Sequence, residues 1–224
     1  MHKIKKSSHN WLAYDAPHNA IAQNISNFVG VVADLGCGKS PYKPDIEKYA
    51  SQYIGVDWEN SLHDQSNVNV FSNLNEEIKL PDNSADTALV MHVMEHLSEP
   101  DNFLAEANRI LKDDGFILIQ VPFNWHLHEE PHDYFRYTPY GLEHLLKKAN
   151  FDYIETKTEG GIFTVLTLKF NYASRKILRG PLRILGIPIW FINQHLARWL
   201  DNKIKYSNEF VAITATARKR AKLF

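Results

Sequence analysis

Val31-Val32-Ala33-Asp34-Leu35-Gly36-Cys37-Gly38 decides the fold of this 224-residue chain, because an apolar run leads directly into an acidic residue and a turn holding two glycines. Val31 to Leu35 read as a buried strand. Gly36 and Gly38 have no Cβ, so the backbone can take positive φ and approach a ligand closely, as the first turn of a doubly wound sheet requires. A dinucleotide site would continue as G-x-G-x-x-G straight into a helix whose N-terminus meets a pyrophosphate. Here Lys39-Ser40-Pro41-Tyr42-Lys43-Pro44 follows, so the third glycine is missing and two prolines delay any helix. A P-loop needs four residues between its glycines, and this turn has one. What remains is an adenosine cofactor with a small zwitterionic tail whose amino group lies near Asp34; S-adenosylmethionine meets that description.

Outward from this turn, Gln52-Tyr53-Ile54-Gly55-Val56-Asp57-Trp58 reads as a second strand ending in a carboxylate. Asp57 comes about 20 residues after the glycines, where it can accept hydrogen bonds from ribose hydroxyls, and Trp58 is placed to stack on adenine. Strands and helices then alternate, the pattern of a parallel sheet covered on both faces. Residues 17–28 read as a leading helix, 29–35 as the first strand, 68–71 as the third and 85–91 as a fourth, apolar enough to be buried on both faces. Ser98 reads as the cap of a helix with Pro100 in its first turn, ended by Asp113-Asp114-Gly115. Phe116 to Val121 is a fifth strand. Thr138-Pro139 opens another helix, and a sixth strand begins at Phe151. About fifty residues of helical character separate it from a last alternating strand, 209–215.

Four of these stretches together resemble the class I S-adenosylmethionine-dependent methyltransferases, in particular the type 11 group that includes ubiquinone and menaquinone biosynthesis enzymes. They are ADLGCG (33–38), YIGVDW (53–58), LPDNSADTALVMHVMEHL (80–97) and RILKDDGFILIQVP (109–122). Ser40 stands where the family pattern D-x-G-x-G-x-G has its third glycine. The resemblance implies a Rossmann-like, doubly wound α/β fold: a mostly parallel seven-stranded sheet with an antiparallel last strand and a helical insertion before it. One methyltransferase domain is then expected over residues 1–224, with its core at about 17–157 and 207–218 and the insertion at about 160–205. The cofactor side is expected to comprise Asp34, Gly36, Cys37, Gly38, Asp57, Trp58, Asn73, Leu74, Met91 and His92.

Composition fits that picture. With 44% apolar residues the chain can bury one large core, and a net charge of −1 exerts no general pull toward nucleic acid. The lone Cys37 leaves no intramolecular disulfide, and Met1-His2-Lys3-Ile4-Lys5-Lys6 is not the apolar stretch of a signal peptide, so a cytoplasmic location is expected. No run approaches the ~18 apolar residues of a membrane span. Leu185 to Ile192 is nevertheless apolar and flanked by Arg175, Lys176, Arg179 and Arg183. It reads either as a face packed on the domain or on a second copy in a homodimer, or as a peripheral membrane contact that docks a lipid-linked substrate.

The richest cluster of polar and aromatic groups is Asn124 to Thr138, which follows the fifth strand and should roof the crevice. Trp125, Tyr134, Arg136 and Tyr137 are expected on the acceptor side, where aromatic walls with a few directed polar groups suit a sugar or aromatic metabolite. Its P-x-D-Y-F-R-like segment ahead of T-P-x-G-L resembles that of type 11 relatives associated with surface-polysaccharide or glycolipid synthesis. His96, from the Glu95-His96 pair, and His126, His128 and His132 are candidate bases for an acceptor proton. The loop matches no H-E-x-x-H or C-x-x-C spacing, so no metal is expected in it. The expected reaction is methyl transfer to a hydroxyl of a carbohydrate or related small molecule. Two alternatives are a catalytically silent S-adenosylmethionine- or S-adenosylhomocysteine-binding partner protein and a metal-dependent hydrolase built on the His126–His132 loop.

Overall fold

The computed structural model describes residues 4–61, 64–204 and 208–221. Met1 to Lys3, part of the start read for a leader, and Ser207, the expected lower bound of the second core segment, lie outside them. Seven strands, β1 (Val31–Leu35), β2 (Gln52–Asp57), β3 (Val70–Phe71), β4 (Ala85–Met91), β5 (Leu111–Pro122), β6 (Phe151–Glu159) and β7 (Ala212–Lys219), form one sheet in the order β3-β2-β1-β4-β5-β7-β6. The first five run parallel, and β7 is antiparallel to both its neighbours. This is the expected Rossmann-like sheet with its antiparallel last strand.

Alternation along the central strands builds a core on each face. Ala33, Leu35, Ala88, Val90, Ile117 and Ile119 point to one side and pack with Phe103, Leu104 and Ala107 of α3 (Pro100–Ile110) and Leu142 and Leu146 of α4 (Pro139–Lys148). Val32, Leu89 and Leu118 point to the other, against Ile21 of α1 (Trp11–Asn24), Phe28 and Ile46 of α2 (Lys43–Ile46). The turns after β1 to β5 therefore open on one edge of the sheet, and the strand order reverses between β1 and β4, where such sheets bind ligands.

Several boundaries differ from expectation: the leading helix is Trp11–Asn24 and not 17–28, the first strand starts at Val31 and not 29, the third strand shrinks to Val70–Phe71, the last strand is Ala212–Lys219 and not 209–215, and both ends of α3 shift. Glu99 occupies the N-cap of α3 without a side-chain cap, while Ser98 Oγ donates to Asn75 Oδ1 at 3.3 Å, so Ser98 ties down a loop instead of capping the helix. The helix ends at Ile110, and β5 begins at Leu111, which already pairs with Ala85 across an irregular register; sheet pairing overrides the helical spacing of the preceding residues. Thr138 does cap α4, its Oγ1 accepting the Gly141 N–H at 3.0 Å.

The chain between β6 and β7 folds as α5 (Ile162–Ile177) and α6 (Arg183–Lys203). Asp201 of α6 accepts the N–H groups of Gly161, Phe163 and Thr164 at 3.0–3.1 Å, so one helix satisfies the orphan donors of the other. At the start of α6, Ile184, Leu185, Ile187 and Ile189 are exposed. No helix among the described residues is long and apolar enough to cross a membrane.

Candidate active site

The floor of the crevice is the turn after β1. Gly36 (φ +78°) and Gly38 (φ +50°) both use left-handed backbone. The N–H groups of Gly36 and Cys37 donate to Val56 O at 2.8 and 3.0 Å, which locks the turn onto β2. Gly36 has a second constraint, because a Cβ there would come within 2.4 Å of Val93 Cγ2, beyond the end of β4. Asp57 ends β2 nearly buried, its Oδ2 accepting from Gly38 N and its Oδ1 from Trp58 N, each at 2.6 Å. Each oxygen keeps a lone pair for a ligand hydroxyl. Asp34 lies deeper, its Oδ2 accepting the Tyr53 hydroxyl. Burial pushes its carboxyl up to about 7 against the pull of Tyr53, with Asp57 adding to the rise. Burial likewise raises the Cys37 thiol to about 12, an inert thiol rather than a nucleophile. Trp58 is 40% exposed beside this floor.

The remaining residues expected around the cofactor divide. Asn73 turns inward on its own loop, accepting from Asn75 N at 3.1 Å and donating to Glu76 at 2.8 Å. Leu74, expected beside it in the site, is instead buried in the core on the α3 face, where its apolar side chain is withdrawn from the crevice. Met91 ends β4 and His92 follows it, adopting φ +56° with its N–H donated to Gln120 O at 2.8 Å. Its Nε2 lies 3.0 Å from Gln120 Oε1, and Gln120 Nε2 donates to Thr214 Oγ1 at 2.8 Å.

The loop after β5 forms the roof. Asn124 Nδ2 anchors its start to Glu209 Oε2 and Phe210 O at 2.8 and 3.0 Å, and the N–H groups of Tyr134 and Phe135 anchor its end to Glu95 O at 2.8 and 3.2 Å. Between these anchors, Arg136 grips both oxygens of Asp133 at 2.6 and 2.8 Å, and Asp133 Oδ2 takes the backbone N–H and the Nδ1 of His128 at 3.0 and 3.2 Å. The guanidinium beside Asp133 holds that carboxyl well below the usual range. Arg136, expected to meet an acceptor anion, is therefore spent on an internal carboxylate. Tyr137, also expected on the acceptor side, is buried with its hydroxyl donated to Met94 O at 3.0 Å, and it packs in the core instead of lining the crevice.

The other roof residues line a wall. Trp125 stacks on His126 (centroids 4.8 Å) and meets Tyr172 of α5 edge-on at 5.4 Å. Burial lowers the pKa of His126, with His128 the next contribution, so its imidazole is neutral near pH 7. His132 Nδ1 lies 3.1 Å from the Tyr134 hydroxyl, and the ring meets Trp58 edge-on at 5.7 Å, which joins roof to floor. His96 Nδ1 sits 2.7 Å from His132 O. Glu95, expected only as a partner of His96 that could act on an acceptor proton, Asp133, noted only among the loop's carboxylates, and Gln120, not picked out at all, organise this region. The signal for Gln120 was its place as a lone polar residue inside the apolar run Phe116 to Val121.

Residues 33–119 match the family model of a methyltransferase domain. Two probable S-adenosylmethionine-dependent methyltransferases from strains of Mycobacterium tuberculosis are each 31% identical over 96 residues, 41% of this chain and 35% of theirs, so the chain spans about a third of the curated relatives it matches. Among solved structures, the [4+2]-cyclase SpnF superposes with a TM-score of 0.62 at 17% identity, covering 94% of this chain and 82% of that one. A SAM-dependent methyltransferase from Archaeoglobus fulgidus gives 0.61 at 17% identity over 92% and 94%. Phosphoethanolamine N-methyltransferase 2 from Haemonchus contortus, in complex with S-adenosyl-L-methionine, gives 0.60 at 17% identity over 92% and 52%. At such identities these structures establish the fold. That a cyclase shares it shows why the reaction has to be argued from the site.

Proposed function

We propose that this chain, whose residues 33–119 are a class I methyltransferase domain of the type 11 group, catalyses S-adenosylmethionine-dependent methyl transfer to a hydroxyl of a carbohydrate or glycolipid. The observation that carries the reading is Asp57: a carboxylate at the end of β2, held by the N–H groups of Gly38 and Trp58, beside a left-handed glycine turn at the point where strand order reverses. That donor set fits an adenosine ligand. The free lone pairs of Asp57 suit ribose hydroxyls, and exposed Trp58 offers its ring to the base.

S-adenosylmethionine bound there supplies an already activated methyl group, which leaves the protein to align the acceptor, exclude water and remove the hydroxyl proton. Trp125 and Tyr134 supply walls for a sugar ring. His126, neutral near pH 7, is the best placed by its protonation state to take the proton. The exposed apolar start of α6, with Arg179 and Arg183 beside it, supports an acceptor presented at a lipid surface; a homodimer would cover the same residues.

Calorimetry with S-adenosylhomocysteine tests the donor half. Asp57→Ala removes two charge-assisted bonds as well as the ribose contacts, and a loss of roughly 30- to 100-fold in affinity is expected, about 2–3 kcal/mol; unchanged affinity overturns the assignment. A radiolabelled methyl-transfer screen over nucleotide sugars, lipid-linked saccharides and quinone precursors, run with and without anionic vesicles, tests the acceptor half. Turnover indifferent to vesicles removes the membrane surface from the reading. Tight S-adenosylhomocysteine binding with no transfer to any acceptor replaces the enzyme with a silent binding protein.

A further inference from the structure

Glu95 sits in a short helical turn (Met94–His96) directly after β4 and is fully buried, yet neither carboxylate oxygen has a hydrogen-bond partner. Buried carboxylates are ordinarily hydrogen-bonded, paired or bound to a metal, because the cost of removing them from water is otherwise uncompensated. Around Glu95 Oε1 stand three imidazoles: His92 Nδ1 at 3.7 Å, His96 Nε2 at 3.8 Å and His128 Nε2 at 4.0 Å. All three distances are too long for hydrogen bonds.

The far side of each ring explains what faces inward. His96 Nδ1 lies 2.7 Å from the His132 carbonyl, and His128 Nδ1 lies 3.2 Å from Asp133 Oδ2. A carbonyl and a carboxylate held by Arg136 can only accept, so each Nδ1 carries a hydrogen and Nε2 is the ring atom turned toward Glu95. His92 repeats the arrangement with its nitrogens exchanged. Gln120, oriented by its bond to Thr214, offers Oε1 to His92 Nε2, leaving Nδ1 facing Glu95. Ring nitrogens and a carboxylate oxygen that converge without a hydrogen bond repel one another unless a proton or a metal cation lies between them. An outer nitrogen bonded to a carboxylate or backbone carbonyl is also the support that orients metal-bound histidines.

We propose that Glu95, His96 and His128 bind one divalent transition-metal ion of the zinc class. Their ligand atoms lie within 4.8 Å of one another. Tetrahedral coordination at about 2.0–2.1 Å needs edges of about 3.3 Å, so the two Glu95–histidine edges close by roughly 0.5–0.7 Å and the longest separation by up to about 1.5 Å, a movement of side-chain rotamers. Two imidazoles and one carboxylate suit zinc, cobalt or manganese, and three protein ligands leave a position open. His96 and His128 remain partly exposed, so that position faces the crevice; Glu129 Oε2 approaches His96 Nε2 from the solvent side at 3.8 Å. Asp133 is a positioning residue that acts through His128. If the methyl-transfer reading holds, the open position takes the acceptor oxygen and lowers its pKa, a part of the inference that rests on that reading.

The test is titration of chelator-stripped protein with cobalt chloride, followed by visible spectroscopy and by atomic absorption after desalting. One equivalent with intense d–d bands is expected. Glu95→Gln and the double variant His96→Ala/His128→Ala should lose the bands, and Asp133→Asn should weaken binding ten- to a hundred-fold. The histidine variants, at partly exposed positions, guard against a Glu95 variant that fails to fold. S-adenosylhomocysteine affinity should persist in all of them, whereas Asp57→Ala should lose it and keep the metal, so the two readings fail separately. Binding well below one equivalent, or equal binding by the double histidine variant, overturns the proposal.

Discussion

The floor and the roof of the crevice are built on different principles. In the floor, the contacts that shape the site are made by backbone and by neighbours in the sheet: Gly38 and Trp58 N–H to Asp57, and Gly36 and Cys37 N–H to Val56 O. In the roof, the shape comes from side chains that hold one another, with Arg136 on Asp133, Asp133 on His128, and His96 on His132 O. A backbone-built site is rigid because the sheet is rigid, while a side-chain-built site is as stable as its charged pairs. The floor should therefore respond to packing and burial, the roof to loss of a partner.

The largest effect is expected in the floor, from pH. Asp34 is raised on folding from the ordinary carboxylate value to about 7, so its contribution to stability is complete below about pH 4 and is lost as pH rises through 7. Across that window the protein should lose on the order of 4 kcal/mol from this group. Asp34→Asn keeps an acceptor for Tyr53 and should flatten the loss. Urea unfolding at pH 4 to 8 measures it, and parallel pH profiles for the two proteins would show that Asp34 is not neutral when buried.

Next comes Gly36→Ala, which places a Cβ in left-handed backbone and against Val93. A cost of about 3 kcal/mol is expected from strain and overpacking together. Adding Val93→Ala should recover the packing part, and a double-mutant cycle with no coupling would mean that the glycine serves the ligand alone. Arg136→Ala should cost about 2 kcal/mol, because it leaves Asp133 without its guanidinium. It should leave S-adenosylhomocysteine affinity unchanged; a drop there would show that roof and floor are one cooperative unit, coupled through His132 and Trp58.

The legible parts of the site follow this division. The structure gathers Asp34, Gly36, Gly38, Asp57 and Trp58 in one place, as the sequence led one to expect, because the layout of a strand-ending turn is written in consecutive residues. The side chains of Leu74 and Tyr137 are buried in the core, because adjacency to a site residue does not say which way a side chain points. Ser98 has the residue type of a cap, but a loop 23 residues earlier took its hydroxyl. Arg136 was read as available, and only the folded loop shows it committed to Asp133. Glu95 was seen as half of a Glu-His pair, without the imidazoles that surround it.

The amino-acid sequence alone determined the alternating strands and helices, the glycine turn and the acidic residue that ends β2, since these depend on periodicity and on backbone freedom within a few residues. The tertiary structure alone decided which polar groups meet. His92, Glu95 and His96 lie on one segment after β4, but His128 is separated from them by helix α3 and strand β5, and nothing local brings it to the same point. A buried carboxylate facing three imidazoles is a property of distance in space, because desolvation and lone-pair direction are set by everything packed around a group rather than by its neighbours in the chain.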